Sequence, residues 1–305
     1  MTEPARPARP MMADIVSLAV CTVIWSTTWR AIKLQLGGPP PMESVVYRFA
    51  LASALLFAWA VFSRGALRLT RRQHLEAAGQ GFFNFAIQYA LVYLAEQTVS
   101  SGAMAVIFAG TPFVNLVIFW LARSQRPGPA AWFAAALGLL GVAILSLSQA
   151  HGPSAAPGAA AGIVMALIGV VASSLGNLFA DRAHAAGSAL IPSTAWAMAY
   201  GAAFLALYVV LTGQPWRFDA SPGYLGSLAY LACFGSVIAF LTYYALARRS
   251  GYALASYIAA MTPPAAMLIA WATEGARWGL GALAGLGLVL AGQAILIRRR
   301  GPSES

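Results

Sequence analysis

Gln80, Asn84 and Gln88 recur at every fourth position of a stretch, 75–96, that is otherwise largely apolar. Four-residue spacing stacks side chains on one face of a helix, so the three carboxamides form a polar stripe. Ser173 and Asn177 repeat the spacing in a second apolar stretch, with Ser174 beside them and Asp181 one turn further on. Amides and hydroxyls cost free energy in an apolar medium unless they are hydrogen-bonded. Two uses account for such stripes: bonding to a neighbouring helix, or lining a path for a polar solute. Trp25 with Trp29, and Trp196 with Tyr200, add aromatic pairs one helical turn apart. An indole ring is an apolar wall whose N–H needs an acceptor, which suits either a cavity lining or ordinary core packing. Thr111-Pro112 and Thr262-Pro263 form a third group. Proline removes a backbone N–H and frees the carbonyl four residues earlier, Phe108 or Ala259. Such a turn can kink, or offer polar backbone to a ligand, and Thr111 joins the candidate path beside it.

Nothing in the chain points to catalysis. There is no P-loop and no H-E-x-x-H motif, nor a G-x-S-x-G elbow. His74, His151 and His184 are dispersed and fit no metal spacing, so neither metal nor cofactor is expected. Cys21 and Cys233 each lie within an apolar run, which suits small apolar packing better than a disulfide framework. Arg30 and Arg48 also lie within apolar runs. Either is able to hold a substrate carboxylate, but snorkelling to the outer interface and pairing with Glu43 or headgroups is the expected state. No Asp or Glu falls at mid-run, which argues against a proton-coupled cation pump and leaves facilitated diffusion, exchange, or coupling through a less obvious group.

The elements that must position these groups follow from composition. Of the 305 residues 60% are hydrophobic and only 9% charged, with mean hydropathy +0.71. Soluble domains carry about 25% charged residues, so lipid must face most of this surface. Runs long enough to cross ~30 Å of hydrocarbon fall near 14–34, 43–62, 75–96, 99–121, 131–149, 158–181, 190–211, 224–246, 252–273 and 278–297. Backbone groups in lipid must be satisfied locally, so these are expected to be ten helices. The first is too long for a signal-peptide core and is expected to remain as an anchor.

Alternate connections and both ends hold Arg6, Arg9, Arg64, Arg68, Arg71, Arg72, Arg123, Arg126, Arg182, Arg248, Arg249, Arg298, Arg299 and Arg300. The other side holds Lys33, Arg217 and Arg277. The positive-inside rule makes the arginine-rich side cytoplasmic, with both termini inside and an even helix count. The same distribution accounts for the net charge of +10 without nucleic acid as a partner. Most of the remaining tryptophans, Trp59, Trp120, Trp132, Trp216, Trp271 and Trp278, sit near run ends as an interfacial belt.

A shift of 151 residues lays the two halves on each other. Thr111-Pro112 falls on Thr262-Pro263, Tyr93 on Tyr244, Arg126 on Arg277, Gly128 on Gly279, and Gly141, Ala143, Ile144, Leu145 on Gly292, Ala294, Ile295, Leu296. The reading is an all-α integral membrane protein of two inverted five-helix repeats, 1–150 and 158–305, joined at 151–157. Five is odd, so the second repeat enters the membrane with opposite polarity. Secondary transporters use this architecture, with substrate at the repeat interface and alternating access by rocking. Gly138, Gly141, Gly285 and Gly292 permit close helix packing, within the chain or in a weak homodimer.

Several motifs resemble the EamA-type members of the drug/metabolite transporter superfamily. Trp25-Ser26-Thr27-Thr28-Trp29 with Ala31-Ile32-Lys33 is similar to the family's W-G-x-x-F/W-x-x-I-K opening. Arg48-Phe49 is similar to its helix-two arginine motif, the two Thr-Pro pairs to its fourth helices, and Glu274 to the acidic residue closing that helix. Ala122-Arg123-Ser124-Gln125 departs from the acidic residue usual there in the first repeat. Within the family the chain looks most like YddG-type exporters of aromatic and other neutral amino acids. That resemblance implies a bacterial inner-membrane exporter in which helices one, three, four, six, eight and nine surround a central cavity. It also names an amino acid as the small-molecule partner beside membrane lipid. Other metabolites, such as a nucleobase, sugar or quaternary cation, remain alternatives, as does a sensor or accessory subunit that transports nothing.

Overall fold

The computed structural model describes residues 12–63, 67–123, 126–151 and 156–298. Arg6, Arg9, Arg64, Arg299 and Arg300, and the centre of the 151–157 connection, lie outside the described residues. Among the described residues every regular element is helical. They are α1 Met12–Lys33, α2 Pro41–Phe62, α3 Arg71–Gln80, a π-helical segment Gly81–Ile87, α4 Gln88–Ala95, α5 Ser101–Phe108, α6 Thr111–Arg123, α7 Pro129–His151, α8 Ala159–Ala185, α9 Leu190–Leu211, α10 Pro222–Tyr230, a second π segment Leu231–Ile238, α11 Ala239–Glu274 and α12 Leu280–Arg298. Seven helical stretches among the described residues are long and apolar enough to cross a membrane. Their outward faces carry exposed apolar side chains such as Val23, Phe133, Ile168, Leu207 and Phe234, as lipid-facing helices require.

Local signals set the ends. Thr70 and Gln73 form a reciprocal capping box, Thr70 N–H donating to Gln73 Oε1 at 2.9 Å and Gln73 N–H to Thr70 Oγ1 at 3.3 Å. Ser100 caps α5, and Ser221 caps α10 with Pro222 following it. Gly275 ends α11 at φ 66°, a left-handed conformation that glycine adopts without strain.

α11 as assigned has 36 residues, about 54 Å if straight. It is not straight. Thr27 Oγ1 lies 2.5 Å from the Tyr230 hydroxyl, while the adjacent Ser26 donates to the Thr262 carbonyl at 3.3 Å. A straight helix would separate Tyr230 from Thr262 by roughly 48 Å. At the other end of α1, Asp14 Oδ1 accepts from Arg249 at 2.6 and 2.9 Å and from Ser250 at 3.0 Å. Cys21, between them, packs with Leu246, Ala247, Ala255 and Ile258. The chain therefore descends along α1, turns back near Ser250 and climbs it again. The sequence reading places a connection at 247–251. The reversal falls there, with the helical run unbroken through Arg248-Arg249-Ser250-Gly251.

Tight crossings hold the bundle together. A Cβ at Gly141 would sit 2.6 Å from the Gly285 carbonyl oxygen, and one at Gly292 would sit 2.6 Å from that of Ala134. The glycines noted in the sequence are thus used by α7 against α12 within the chain, a close approach that small residues allow. α9 crosses the first π segment in the same way, Gly201 against Phe85 and Gly81.

Candidate functional site

The amide stripe begins at the first π segment. A π turn closes i to i+5, one residue more than an α turn, so a four-residue spacing no longer keeps side chains aligned through it. Gln80 and Asn84 still converge: Gln80 Nε2 donates to the Tyr244 hydroxyl at 3.1 Å and Asn84 Nδ2 donates to it at 3.0 Å. Gln88 does not join them. Its side chain is buried, and its Oε1 has no hydrogen-bond partner. Tyr244 is on α11, and only its repeat register marked it in the sequence.

Aromatic rings wall the region. Trp25 packs on Phe240 and Tyr243 at 5.5 and 5.4 Å between centroids. Phe240 continues to Phe85 at 5.1 Å, and Phe85 to Phe49 at 5.0 Å. Trp29 instead meets Phe108 at 5.2 Å, and its Nε1 is buried without an acceptor. A Cβ at Gly169 would lie 3.2 Å from Phe108 Cζ and 3.7 Å from the Gln88 carbonyl, so Trp29 and the Gln88 turn border the same ring. Trp29 Nε1 is thus an orphan donor beside the Phe108 ring, and Gln88 Oε1 is an orphan acceptor from a nearby turn.

The other candidates divide. Gly176 brings α8 against Asn84, where a Cβ would lie 2.4 Å from the asparagine's own. Asn177 Nδ2 is 3.5 Å from Asn115 Oδ1 on α6, and Ser173 is buried on the same helix. Asn115 carried no periodic signal in the sequence. Trp196 and Tyr200 lie apart from the Trp25 and Trp29 walls. Trp196 donates to the Leu67 carbonyl at 3.0 Å, and the Tyr200 hydroxyl pairs with His74 Nδ1 at 3.0 Å. Thr111 donates to the Phe108 carbonyl at 2.7 Å, satisfying the group that Pro112 frees. The helix is interrupted at Ala109–Gly110, and Gln293 Nε2 from α12 bonds the Ala109 carbonyl at 2.7 Å. Pro263 has no matching interruption: α11 runs on through Pro263 and Pro264, with Thr262 donating to Ile258 at 2.7 Å.

Arg48 corrects the sequence reading. It is 1% exposed, and neither Glu43 carboxylate oxygen has a hydrogen-bond partner. Its guanidinium reaches inward, Nε donating to Ser236 Oγ at 2.9 Å and Nη2 to the Gly235 carbonyl at 3.4 Å. The flat faces of Tyr89 and Phe49 hold it at 4.5 and 5.2 Å, which favours the interior over the interface.

The two ends differ. Gln80, Ala180, Leu190, Ser193, Thr194, Tyr244 and Arg248 line a small cavity at the end that carries Arg182, Arg248 and Arg249. It reaches the Gln80–Tyr244 bond. At the other end Lys33 Nζ donates to the Glu96 carbonyl, the Ser101 N–H and hydroxyl to the Glu274 carboxylate, and Tyr93 to Gln35 at 2.7 Å. These bonds tie the ends of α1, α4, α5 and α11. Among the described residues no three of His, Cys, Asp or Glu gather as metal ligands.

The model of the EamA-like transporter family matches the chain twice, over residues 12–147 and 160–298. An inner membrane transporter of Escherichia coli strain K12, YedA, described as uncharacterized, is 30% identical over 86% of this chain and 83% of its own length. YdfC of Bacillus subtilis strain 168, also described as an uncharacterized transporter, is 24% identical over 84% of this chain and 82% of its own. A crystal structure with 20% identity superposes at a TM-score of 0.69, covering 95% of this chain and 99% of that one, and so shares the fold.

Proposed function

The chain belongs to the EamA-like transporter family, and on that premise we propose that it exports aromatic and other neutral amino acids across the bacterial inner membrane by alternating access. The observation that carries the reading is that the buried interior holds an orphan indole donor, Trp29 Nε1, and an orphan carboxamide acceptor, Gln88 Oε1. A zwitterion with an apolar side chain offers an acceptor to the first, a donor to the second and a hydrophobic body to the rings. Burying either atom unpaired costs about 1–3 kcal/mol, which a bound solute recovers.

The scaffold is ten helices in two inverted repeats with both termini cytoplasmic. Support comes from the paired family matches and from the reversal near Ser250, which gives α11 two legs. The π segments Gly81–Ile87 and Leu231–Ile238 also fall on each other under the 151-residue shift to within one residue. α2 against α9 and α7 against α12 are then contacts between equivalent helices. Access from the arginine-rich end, with the other end bonded shut, fits one state of such a cycle. Transport is facilitated diffusion, since the amides and hydroxyls of the path do not titrate near neutral pH and the arginines beside them keep their charge.

Uptake of labelled phenylalanine, threonine and methionine into proteoliposomes, with and without an imposed proton gradient, tests this. Saturable uptake with mutual competition and no gradient dependence is expected. No uptake above protein-free liposomes by folded protein would overturn the amino-acid assignment.

A further inference from the structure

We propose that Arg48 is the receptor for a carboxylate on the transported solute, an inference that rests on the transporter reading and narrows its substrate to molecules bearing that group. A buried guanidinium has five N–H donors and no way to shed its charge. Here Nε and Nη2 are engaged by Ser236 and Gly235, the hydroxyls of Tyr89 and Tyr93 lie close to the guanidinium, and Nη1 has no partner in full hydrogen-bond geometry. The fork is fixed in direction by those bonds and by Tyr89 and Phe49 against its faces. A free N–H on a fixed, fully buried cation is a site built for an anion.

The protein's own carboxylates do not fill it. Glu43 and Glu96 are fully buried, and their oxygens have no hydrogen-bond partners, on the guanidinium or elsewhere. Glu43 lies five residues nearer the outer end of α2, and Glu96 follows α4 beside Lys33, with Glu274 bonded to Ser101. Glu96 opposes the charge of Arg48 at longer range without satisfying Nη1.

The position suits the rest of the site. Gly235 is where α1, α2 and the second π segment meet: a Cβ there would lie 2.8 Å from Thr28 Cγ2 and 3.3 Å from Arg48 Nη2. Thr28 precedes Trp29, and Tyr89, under the guanidinium, follows Gln88.

The test is ligand-dependent thermal stabilisation of the purified full chain, titrated with L-phenylalanine, 3-phenylpropionate and phenethylamine. The three share a ring and differ in which charged group they carry. The two carboxylates should stabilise the wild type and the amine should not. Arg48→Gln should weaken carboxylate binding about tenfold to a hundredfold, the range for a hydrogen bond to a charged group. Arg48→Lys, which keeps the charge and loses the fork, and Ser236→Ala, which frees Nε, should each weaken it less. Should Arg48→Gln not fold, those two variants and the wild-type selectivity decide. Equal stabilisation of Arg48→Gln, or of both milder variants, by phenylalanine would overturn the proposal and leave the amino-acid reading standing. Stabilisation by phenylpropionate alone, lost in the variants, would support Arg48 and overturn the amino-acid reading. Wild type that answers to phenethylamine as well as to the carboxylates, or to neither carboxylate, would also overturn it.

Discussion

Gln88→Met should stabilise the protein while slowing transport. The side chain is 7% exposed and its Oε1 has no partner. Leaving a buried acceptor unsatisfied costs about 1–3 kcal/mol. A chain unfolded within the membrane also finds partners for its polar groups, which favours the low end, about 1 kcal/mol. Methionine has nearly the same length and no polar atom to satisfy, so little packing is lost. At about 2–4 °C per kcal/mol for domains of roughly 200 residues, melting should rise by about 2 °C. Flux moves the other way. If Oε1 accepts from a solute ammonium, its removal forfeits a hydrogen bond to a charged group, and uptake at sub-saturating solute should fall about tenfold or more. Both quantities come from one preparation: unfolding followed by tryptophan fluorescence, and uptake into proteoliposomes at matched protein content. A lower melting temperature would mean that Gln88 bonds a neighbouring helix after all. Unchanged uptake would mean that Oε1 never meets the solute. Either result refutes the reasoning.

Tyr244→Phe removes the acceptor shared by Gln80 and Asn84, leaves two buried donors, and should lower stability by about 2 kcal/mol, seen as a melting point several degrees lower. Asn84→Ala, by contrast, leaves that hydroxyl accepting from Gln80 and keeps the Cβ packed near Gly176, so its melting point should drop by about 2 °C or less. Gly141→Ala places a Cβ 2.6 Å from the Gly285 carbonyl oxygen and should cost about 1–3 kcal/mol. The same change at Gly226, where nothing lies within 4 Å, should gain about 0.5–1 kcal/mol from helix propensity; equal melting of the two variants would refute the α7–α12 crossing. Pro112→Ala should slow turnover more than it weakens binding, and unaltered kinetics would mean that the interruption at Ala109–Gly110 has no part in the cycle.

Helices were legible because lipid leaves so few choices: an apolar run that must satisfy its own backbone becomes a helix, and its length follows from the bilayer. Local deviations from that rule were not legible. Both π segments interrupt runs that read as continuous helix, since a π turn arises from packing against other helices, and no composition encodes it. The reversal near Ser250 was signalled by Arg248 and Arg249, which the positive-inside rule assigns to a connection. That the backbone would remain helical through it was not. Pro112 and Pro263 look equivalent in sequence, yet only the first coincides with an interruption. Gln293 on α12 waits for the Ala109 carbonyl, whereas valine stands at its repeat counterpart, Val142.

The candidate site was half legible for a related reason. A four-residue stripe announces itself, so Gln80, Asn84 and Gln88 stood out, but a lone residue acquires its role only from what faces it. Tyr244 and Arg48 belong to that second kind, and the repeat shows why they matter together. Under the 151-residue shift Gln80, Asn84 and Gln88 fall on Leu231, Gly235 and Ala239, and Arg48 falls on Ala199. The first π segment carries Asn84 and is flanked by Gln80 and by the unpaired Gln88. The second carries no carboxamide, and at its glycine receives a guanidinium from α2. Two equivalent scaffolds have been given different chemistries, one of neutral carboxamides, the other cationic and donating. A solute with one kind of polar group would be served by equal halves. A solute with an ammonium at one end and a carboxylate at the other requires unequal ones, and under the proposed amino-acid reading the divergence around the two π segments is the form that requirement takes in sequence.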